Sequence, residues 1–240
     1  MLMDDNLAIA PRHIGIICDG NRRFAHALGE VVWMGHEYGA KKVEEVLDWC
    51  VELGVKEITL WLFSIENLKR TKEEVEILFK IGEKMVRDFM KNPKVHEHKV
   101  RLSTVGDVTV FPASLQATIK EATEMTKDHG GLKFNVAVGY SGREEIISAV
   151  KKIGQLVKDG AINPEEITKE VLEAHMYSAS VPDVDLIIRT SGEQRTSGFL
   201  MWKSDYAEYY FCDKLWPEFE KEDLVRAIVD YSERKRRFGK

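Results

Sequence analysis

The segment Cys18-Asp19-Gly20-Asn21-Arg22-Arg23-Phe24-Ala25 follows directly on the apolar run Ile14-Gly15-Ile16-Ile17. A turn needs only the Asp-Gly pair. The amide and the two guanidiniums beside it are donors suited to an anion, and the carboxylate is a handle for a divalent cation. Three further apolar runs end in comparable chemistry: Phe63-Ser64-Ile65-Glu66-Asn67-Leu68-Lys69-Arg70, Gly139-Tyr140-Ser141-Gly142-Arg143 and Arg189-Thr190-Ser191-Gly192-Glu193-Gln194-Arg195-Thr196-Ser197. Arg offers fork-shaped donors that match phosphate oxygens better than Lys does. Hydroxyls and backbone amides fill the remaining oxygens, and a Gly-rich turn opening a helix favours an anion at its amides. A divalent ion on a carboxylate spreads the charge of a leaving diphosphate, and Mg²⁺ commonly takes only one or two protein carboxylates. Asp19 is the first candidate ligand; Glu208, in Tyr206-Ala207-Glu208-Tyr209, is the second. The chemistry reads as diphosphate plus Mg²⁺. Nucleotide binding has no support, since no GxxxxGK[ST] occurs and no GxGxxG follows the first apolar run.

These clusters need strands to position them. The apolar runs predict strands at His13–Cys18, Glu57–Phe63, Lys99–Val105, Leu132–Gly139 and Val184–Arg189, their centres nearly all apolar as in strands covered on both faces. Between them lie helical patterns. Val43, Val46, Leu47, Cys50 and Val51 recur at helical spacing in Lys41–Leu53, and Gly54 supplies the stop. Thr71 heads the next helix as N-cap with Glu73 and Glu74 in its first turn, and further helices fit Pro112–Lys127, Arg143–Lys158, Pro164–Met176 and Glu220–Arg236. Strand–helix alternation predicts an α/β fold, a central mainly parallel sheet flanked by helices, in one domain spanning 1–240. In such folds ligands gather at the carboxyl ends of strands. From Val75 to Met90 apolar residues cover more than one stripe of the helix, as for a helix packed on two sides or one lining a hydrocarbon pocket. A polar diphosphate rim beside such a helix suggests an amphiphile, an isoprenoid diphosphate.

Composition narrows the class. A formal net charge of −5 argues against nucleic-acid binding. Three separated cysteines suit a reducing compartment rather than a disulfide framework, and no CxxC suggests zinc. The beginning of the chain reads as no signal peptide, and no run approaches a membrane span, so a cytoplasmic protein is expected.

Taken together the motifs resemble the cis-prenyltransferases, the family of undecaprenyl and dehydrodolichyl diphosphate synthases, from about His13 to Gly239. The likeness rests on HIGIICDGNRRFA, on Gly35-His36, on FSIENLKR, on Val105-Gly106-Asp107, on YSGREEI, and on DLIIRTSGEQRTSGFLMWKSDYAEYYF followed by LWPEF and ERKRRFG. The resemblance implies an elongated hydrophobic tunnel, a homodimer, and Mg²⁺-dependent addition of isopentenyl diphosphate to an allylic prenyl diphosphate with Z geometry. It also implies roles. Asp19 would be the essential carboxylate, and Gly20, Asn21, Arg22 and Arg23 the allylic diphosphate cradle, with Phe24 and His36 close by. Ser64, Ile65, Glu66 and Leu68 would contact substrate from a mobile loop, with Asn67 at the position assigned to proton removal and Arg70 a further substrate contact. Arg189, Arg195, Thr196 and Ser197 would hold isopentenyl diphosphate, and Glu208 would complete the metal site.

The chain departs from the family pattern where an Arg contacting the allylic diphosphate is usual: here Val32 stands, with Glu30 nearby. Arg22, in place of the usual Gly, is expected to supply the missing cation. The altered cradle also leaves open an alcohol or second allylic diphosphate as acceptor, and a non-catalytic accessory subunit is the rival from another class. His96 and His98 read as loop residues rather than a zinc site. Arg237-Phe238-Gly239 matches a family element that reaches a diphosphate across the dimer, and the basic tail could lean on anionic lipid at a membrane surface.

Overall fold

A computed structural model describes residues 10–234; Arg237-Phe238-Gly239 lies outside them. Six strands form one sheet in the order β3-β4-β2-β1-β5-β6, every neighbouring pair parallel. They are β1 His13–Ile17, β2 Glu57–Ser64, β3 Arg101–Val105, β4 Lys133–Tyr140, β5 Leu186–Arg189 and β6 Glu208–Phe211. The helices are α1 Asn21–Ala27, α2 Val32–Glu52, α3 Lys72–Lys91, α4 Pro93–Glu97, α5 Ala113–Met125, α6 Gly142–Lys158, α7 Lys169–Ala174 and α8 Lys221–Glu233. Because all strands run the same way, the four motif-bearing ends (of β4, β2, β1 and β5, adjacent in that order) share one rim.

Five strands follow the apolar runs within a residue or two. β6 does not, because an edge strand reading EYYF, half-buried or exposed throughout, lacks the signature of burial on both faces. The strand interiors also hold more polarity than their sequences suggest. His13 Nε2 lies 2.8 Å from Thr59 Oγ1, and Asn135 Nδ2 donates to Thr59 Oγ1 at 3.1 Å and to Glu57 Oε1 at 2.9 Å, so burial of these groups is compensated.

The helices differ more. α1 occupies the segment read as an anion loop, and α2 begins nine residues before Lys41. Its first turns carry glycines where an apolar stripe would be sought. A Cβ on Gly35 would lie 2.0 Å from the Asn21 carbonyl oxygen, and one on Gly39 2.3 Å from Asn21 Oδ1. Close approach of α1 to α2 replaces side-chain packing there. Gly35→Ala is therefore expected to cost about 1–3 kcal/mol through overpacking, read as a lowered urea midpoint with unchanged slope. The predicted helix Pro164–Met176 breaks into a 3-10 turn, Pro164–Glu166, and α7, because Thr168 caps a new start by accepting the Val171 N–H. α4 takes up His96, which the sequence placed in a loop.

One core packs Ile14, Ile16, Ile58 and Leu60 against Val46, Cys50 and the α8 residues Leu224 and Ile228. The other face gathers Ile17, Tyr140, Ile187 and Phe199. α3 is the exception: Val75 is its only fully buried residue, although the helix is strongly apolar on one side. Phe79 meets Phe63 and Phe111 at ring-centroid distances of 5.7 and 5.4 Å, and Leu78, Ile81, Met85, Val86 and Phe89 border a cavity.

Candidate active site at the carboxyl rim of the sheet

β1 ends at Ile17, and Gly20 turns the chain into α1 at φ 110°, a conformation that glycine, having no Cβ, adopts with little strain. Asp19 is fixed between these points on both sides of its backbone. Its N–H donates to Thr190 Oγ1 at 2.9 Å, and its carbonyl accepts from Thr190 Oγ1 at 2.7 Å and from the Trp216 N–H at 2.9 Å. Its carboxylate accepts from Arg189 Nη2 at 2.8 Å, and the other oxygen faces Arg23 Nη2 at 3.6 Å. Burial pushes this carboxyl's pKa up, but the hydrogen bond and charge of Arg189, with Ser191 and Arg23, outweigh it and hold the pKa below the ordinary value. Asp19 is ionised at neutral pH. The neighbouring Cys18 thiol is pushed the other way by burial and by Asp19, so it is no nucleophile.

Arg189 is only 4% exposed. Its Nη1 donates to the Arg195 carbonyl at 2.5 Å and to Ser197 Oγ at 3.1 Å, while its Nε has no partner. It is thus a strut between Asp19 and the loop that follows β5. That loop places Ser191, Ser197 and Leu200 at positive φ, 84°, 52° and 43°, conformations that non-glycine residues adopt only when the surroundings hold them. Arg195 points outward and pairs with Glu193. Thr196 contributes its carbonyl to a turn with the Phe199 N–H.

At the end of β2 the chain forms a 3-10 turn, Ile65–Lys69. Asn67 Oδ1 accepts the Ser64 N–H at 2.9 Å and closes the turn. Of the whole segment Ser64–Arg70, only Arg70 borders the pocket above Asp19. That pocket, about 870 Å³ with its open mouth, is lined by Cys18, Asp19, Gly20, Asn21, Arg22, Arg23, His26 and His36 in addition to Arg70. Arg70 Nη1 lies 3.3 Å from His36 Nε2. Burial, then the charges of Arg70 and Arg22, lower the His36 pKa to about 4. A base with a depressed pKa loses native-state stability as pH falls from its unfolded value, about 6.5, towards 4, because only the unfolded chain takes up the proton there. His36→Gln is expected to remove about 2–3 kcal/mol of that fall, measured as the difference in urea midpoints of variant and wild type between pH 7 and 4.

Cys18, Asn21 and His36 also line a second, apolar cavity of about 1470 Å³ with its mouth, running between α2, α3 and the sheet. Leu47, Val51, Leu78, Gly82, Phe89 and Phe134 are among its walls. Expected site residues therefore divide. Asp19 to Arg23, His36 and Arg70 converge on one pocket, and Arg189 with Ser197 joins it through Asp19. Arg22 borders the pocket and Val32 does not. Phe24 does not reach the pocket; it packs edge-on against Tyr38 at 5.4 Å. The turn Gly139–Arg143 also serves packing, since the Tyr140 hydroxyl donates to buried Glu145 at 2.7 Å and Gly142 backs onto the Gly198 carbonyl.

Glu208 lies apart from Asp19 within one chain. It pairs in register with Leu186, three residues before Phe211, which is level with Arg189 and Ile17. At about 3.3 Å per residue it lies roughly 10 Å below the rim, where Arg234 Nη1 donates to it at 2.8 Å. Within one chain it does not share a metal with Asp19. Among the described residues no cluster of three or more His, Cys, Asp or Glu could hold a metal. Asp19 alone still fits Mg²⁺, which takes most of its ligands from water and substrate phosphates: it is an ionised carboxylate that lines the pocket. Sequence reasoning missed Thr190 and Trp216, which hold the Asp19 backbone, and read Glu74 only as a helix-start residue. Nothing in their spacing marks them; they act through contacts between elements distant in the chain.

A cation-lined pocket at the rim of a parallel sheet, opening into a hydrocarbon-sized cavity, defines an enzyme that transfers apolar chains carried on anionic head groups. The chain belongs to the undecaprenyl diphosphate synthase family of cis-prenyltransferases: residues 17–239 match the family model described as "Putative undecaprenyl diphosphate synthase". It is 47% identical over 238 residues to the tritrans,polycis-undecaprenyl-diphosphate synthase (geranylgeranyl-diphosphate specific) of Methanocaldococcus jannaschii, covering 98% of this chain and 84% of that one. It is 45% identical to an isoprenyl transferase of Thermus thermophilus, over 96% of this chain and 89% of the relative. Among solved structures, lavandulyl diphosphate synthase from Lavandula x intermedia, in complex with dimethylallyl diphosphate, superposes with a TM-score of 0.93 at 35% identity, covering 99% of this chain and all of that one.

Proposed function

We propose that the protein condenses isopentenyl diphosphate with an allylic prenyl diphosphate, geranylgeranyl diphosphate foremost, to give a Z-prenyl diphosphate. The observation that carries this is the junction at Cys18, Asn21 and His36, where the cationic pocket opens into the apolar cavity. From His36 to Val51 the cavity follows α2 for about 22 Å at 1.5 Å per residue, room for a long chain. The archaeal relative's name specifies geranylgeranyl diphosphate, a primer of suitable length.

In this reaction the C1–O bond of the allylic partner breaks and its electron pair leaves with inorganic diphosphate. The isopentenyl alkene forms the new carbon–carbon bond to C1 and then loses a proton from C2. Arg22, Arg23 and Arg70 would bind the allylic diphosphate and stabilise its charge as it departs. Arg195 and Ser197, braced by Arg189, would hold isopentenyl diphosphate beside it, so that the alkene meets C1 at close range. Asp19 would hold Mg²⁺, which supplies further neutralisation of diphosphate charge. Asn67 is a positioning group, since an amide is no base and its oxygen already accepts a hydrogen bond; a diphosphate oxygen takes the proton. The apolar walls beyond Cys18 keep water from the cationic carbon. A homodimer is proposed as the working form, supported by the apolar side chains Phe211, Val225 and Val229 exposed on β6 and α8. Among the described residues no helix is long and apolar enough to cross a membrane; a cytoplasmic location, with peripheral membrane contact, is likewise a proposal.

The test is incubation with Mg²⁺, labelled isopentenyl diphosphate and a panel of allylic diphosphates, resolving products by length and double-bond geometry. Z-configured chains that disappear with EDTA are expected. Coupling of dimethylallyl diphosphate to itself, with no isopentenyl incorporation, would replace elongation by an irregular condensation.

A further inference from the structure

Glu74 is a carboxylate set among the cations of the head pocket, and no step of the proposed reaction uses it. It lies in the first turn of α3, its N–H bonded to the N-cap Thr71 Oγ1 at 3.3 Å. Its Oε1 is 2.8 Å from Arg70 Nη1, 3.8 Å from His36 Nε2 and 3.9 Å from Arg22 Nε. These partners come from three other places in the chain: the turn after β2, α2 and α1. All three border the head pocket. The Glu74 side chain is 17% exposed and that of Arg70 24%, so water screens this pair less than an open surface pair, while Arg22, at 54%, meets Glu74 from a more solvated position. A favourable charge at the start of α3 is already provided by Glu73, which shares the first turn. What sets Glu74 apart is that it gathers donors otherwise free to bind an anion.

We infer that Glu74 is a built-in competitor of the substrate diphosphate, neutralising Arg22 and Arg70 in the free protein and giving them up when the diphosphate enters. This rests on the diphosphate reading above. A carboxylate left within a few ångströms of a multiply charged diphosphate repels it, and cations shared with the carboxylate attract the incoming group less. Glu74 therefore weakens ground-state binding of both the substrate and the released inorganic diphosphate, which lets the head pocket empty after each addition. Binding that is equally tight for substrate and transition state gains nothing once the site is saturated.

The sign of the effect separates this from a structural role. Were Glu74 a buttress that orients Arg70, its loss would weaken diphosphate binding; as a competitor, its loss strengthens it. Inorganic diphosphate is titrated calorimetrically into wild type, Glu74→Gln, Glu74→Asp and Arg70→Gln at low ionic strength, each first shown to be folded by its melting curve. Glu74→Gln is expected to bind about tenfold more tightly, Glu74→Asp to stay close to wild type because the charge remains, and Arg70→Gln to bind more weakly. In turnover, Glu74→Gln should lower both the KM for the allylic diphosphate and kcat, as release of diphosphate slows. Wild type that binds diphosphate, with binding to Glu74→Gln equal or weaker, would overturn the inference alone. Folded wild type that fails to bind diphosphate at all would overturn the diphosphate reading, and the inference with it.

Discussion

Asp19→Asn is expected to lower kcat by about 10³-fold while leaving the fold intact. The amide is isosteric and its oxygen still accepts from Arg189 Nη2, so the strut from Asp19 to the loop after β5 survives. What disappears is the charge that would hold Mg²⁺ against the leaving diphosphate. Inorganic diphosphate in the absence of Mg²⁺ should bind at least as well as to wild type, since a like charge has been removed. Asp19→Ala should lose activity equally and also stability, by about 1–3 kcal/mol, because one buried guanidinium nitrogen is left without its acceptor. The acid limb offers an independent check. A carboxyl whose native pKa is depressed contributes stability that is present above its unfolded pKa, near 4, and lost as pH falls through the native value. Asp19→Asn should therefore lose less stability than wild type below about pH 4. Turnover of Asp19→Asn within tenfold of wild type would remove Asp19 from the centre of the reaction.

The part of the site most legible in the sequence, Asp19 to Arg23, is a run of consecutive residues just after a strand with an apolar centre, whereas His36, inside α2, was reached only through the family resemblance. Parallel strands buried on both faces advertise themselves, so the rim and the residues Asp19 to Arg23 at its centre could be placed without coordinates. Level along the strand direction could not. Glu208 lies beside a strand whose end carries Arg189, yet register puts it at the level of Leu186, and an edge strand gives no periodic signal from which register could be read. Asn67 illustrates a different limit. Its side chain closes the turn in which it sits, a local hydrogen bond that competes with any use towards substrate. The first turns of α2 were invisible because Gly35 and Gly39 make contact by lacking side chains. Glu74 was visible as a helix-start residue, and its tie to Arg22 and His36 depends on three elements meeting in space.

Gly82→Leu is expected to shorten the products and to invert the preference for primers. Gly82 lies on the cavity-facing side of α3, eight residues beyond Glu74 and so about 12 Å deeper at 1.5 Å per residue. A Cβ there would meet only Leu115 Cδ2, at 3.8 Å, an ordinary contact. The space a leucine would fill is thus cavity rather than packed core. The fold should gain, since glycine in a helix interior is about 0.8–1 kcal/mol less favourable than the best helix formers, leucine among them. The cavity should lose roughly its deeper half. A geranylgeranyl chain would then have to leave several carbons outside the apolar walls, at about 0.8 kcal/mol for each methylene not buried, which raises its KM at least about tenfold. Dimethylallyl and geranyl diphosphates, which end before the obstruction, should be elongated at wild-type rates but stop after fewer additions. Gly82→Ala, with the same helix benefit and little bulk, should be stabilised without a change in product length. The comparison separates cavity depth from helix stability as the cause. Gly82→Leu that melts above wild type yet makes wild-type chains from geranylgeranyl diphosphate would show that the growing chain does not follow this cavity.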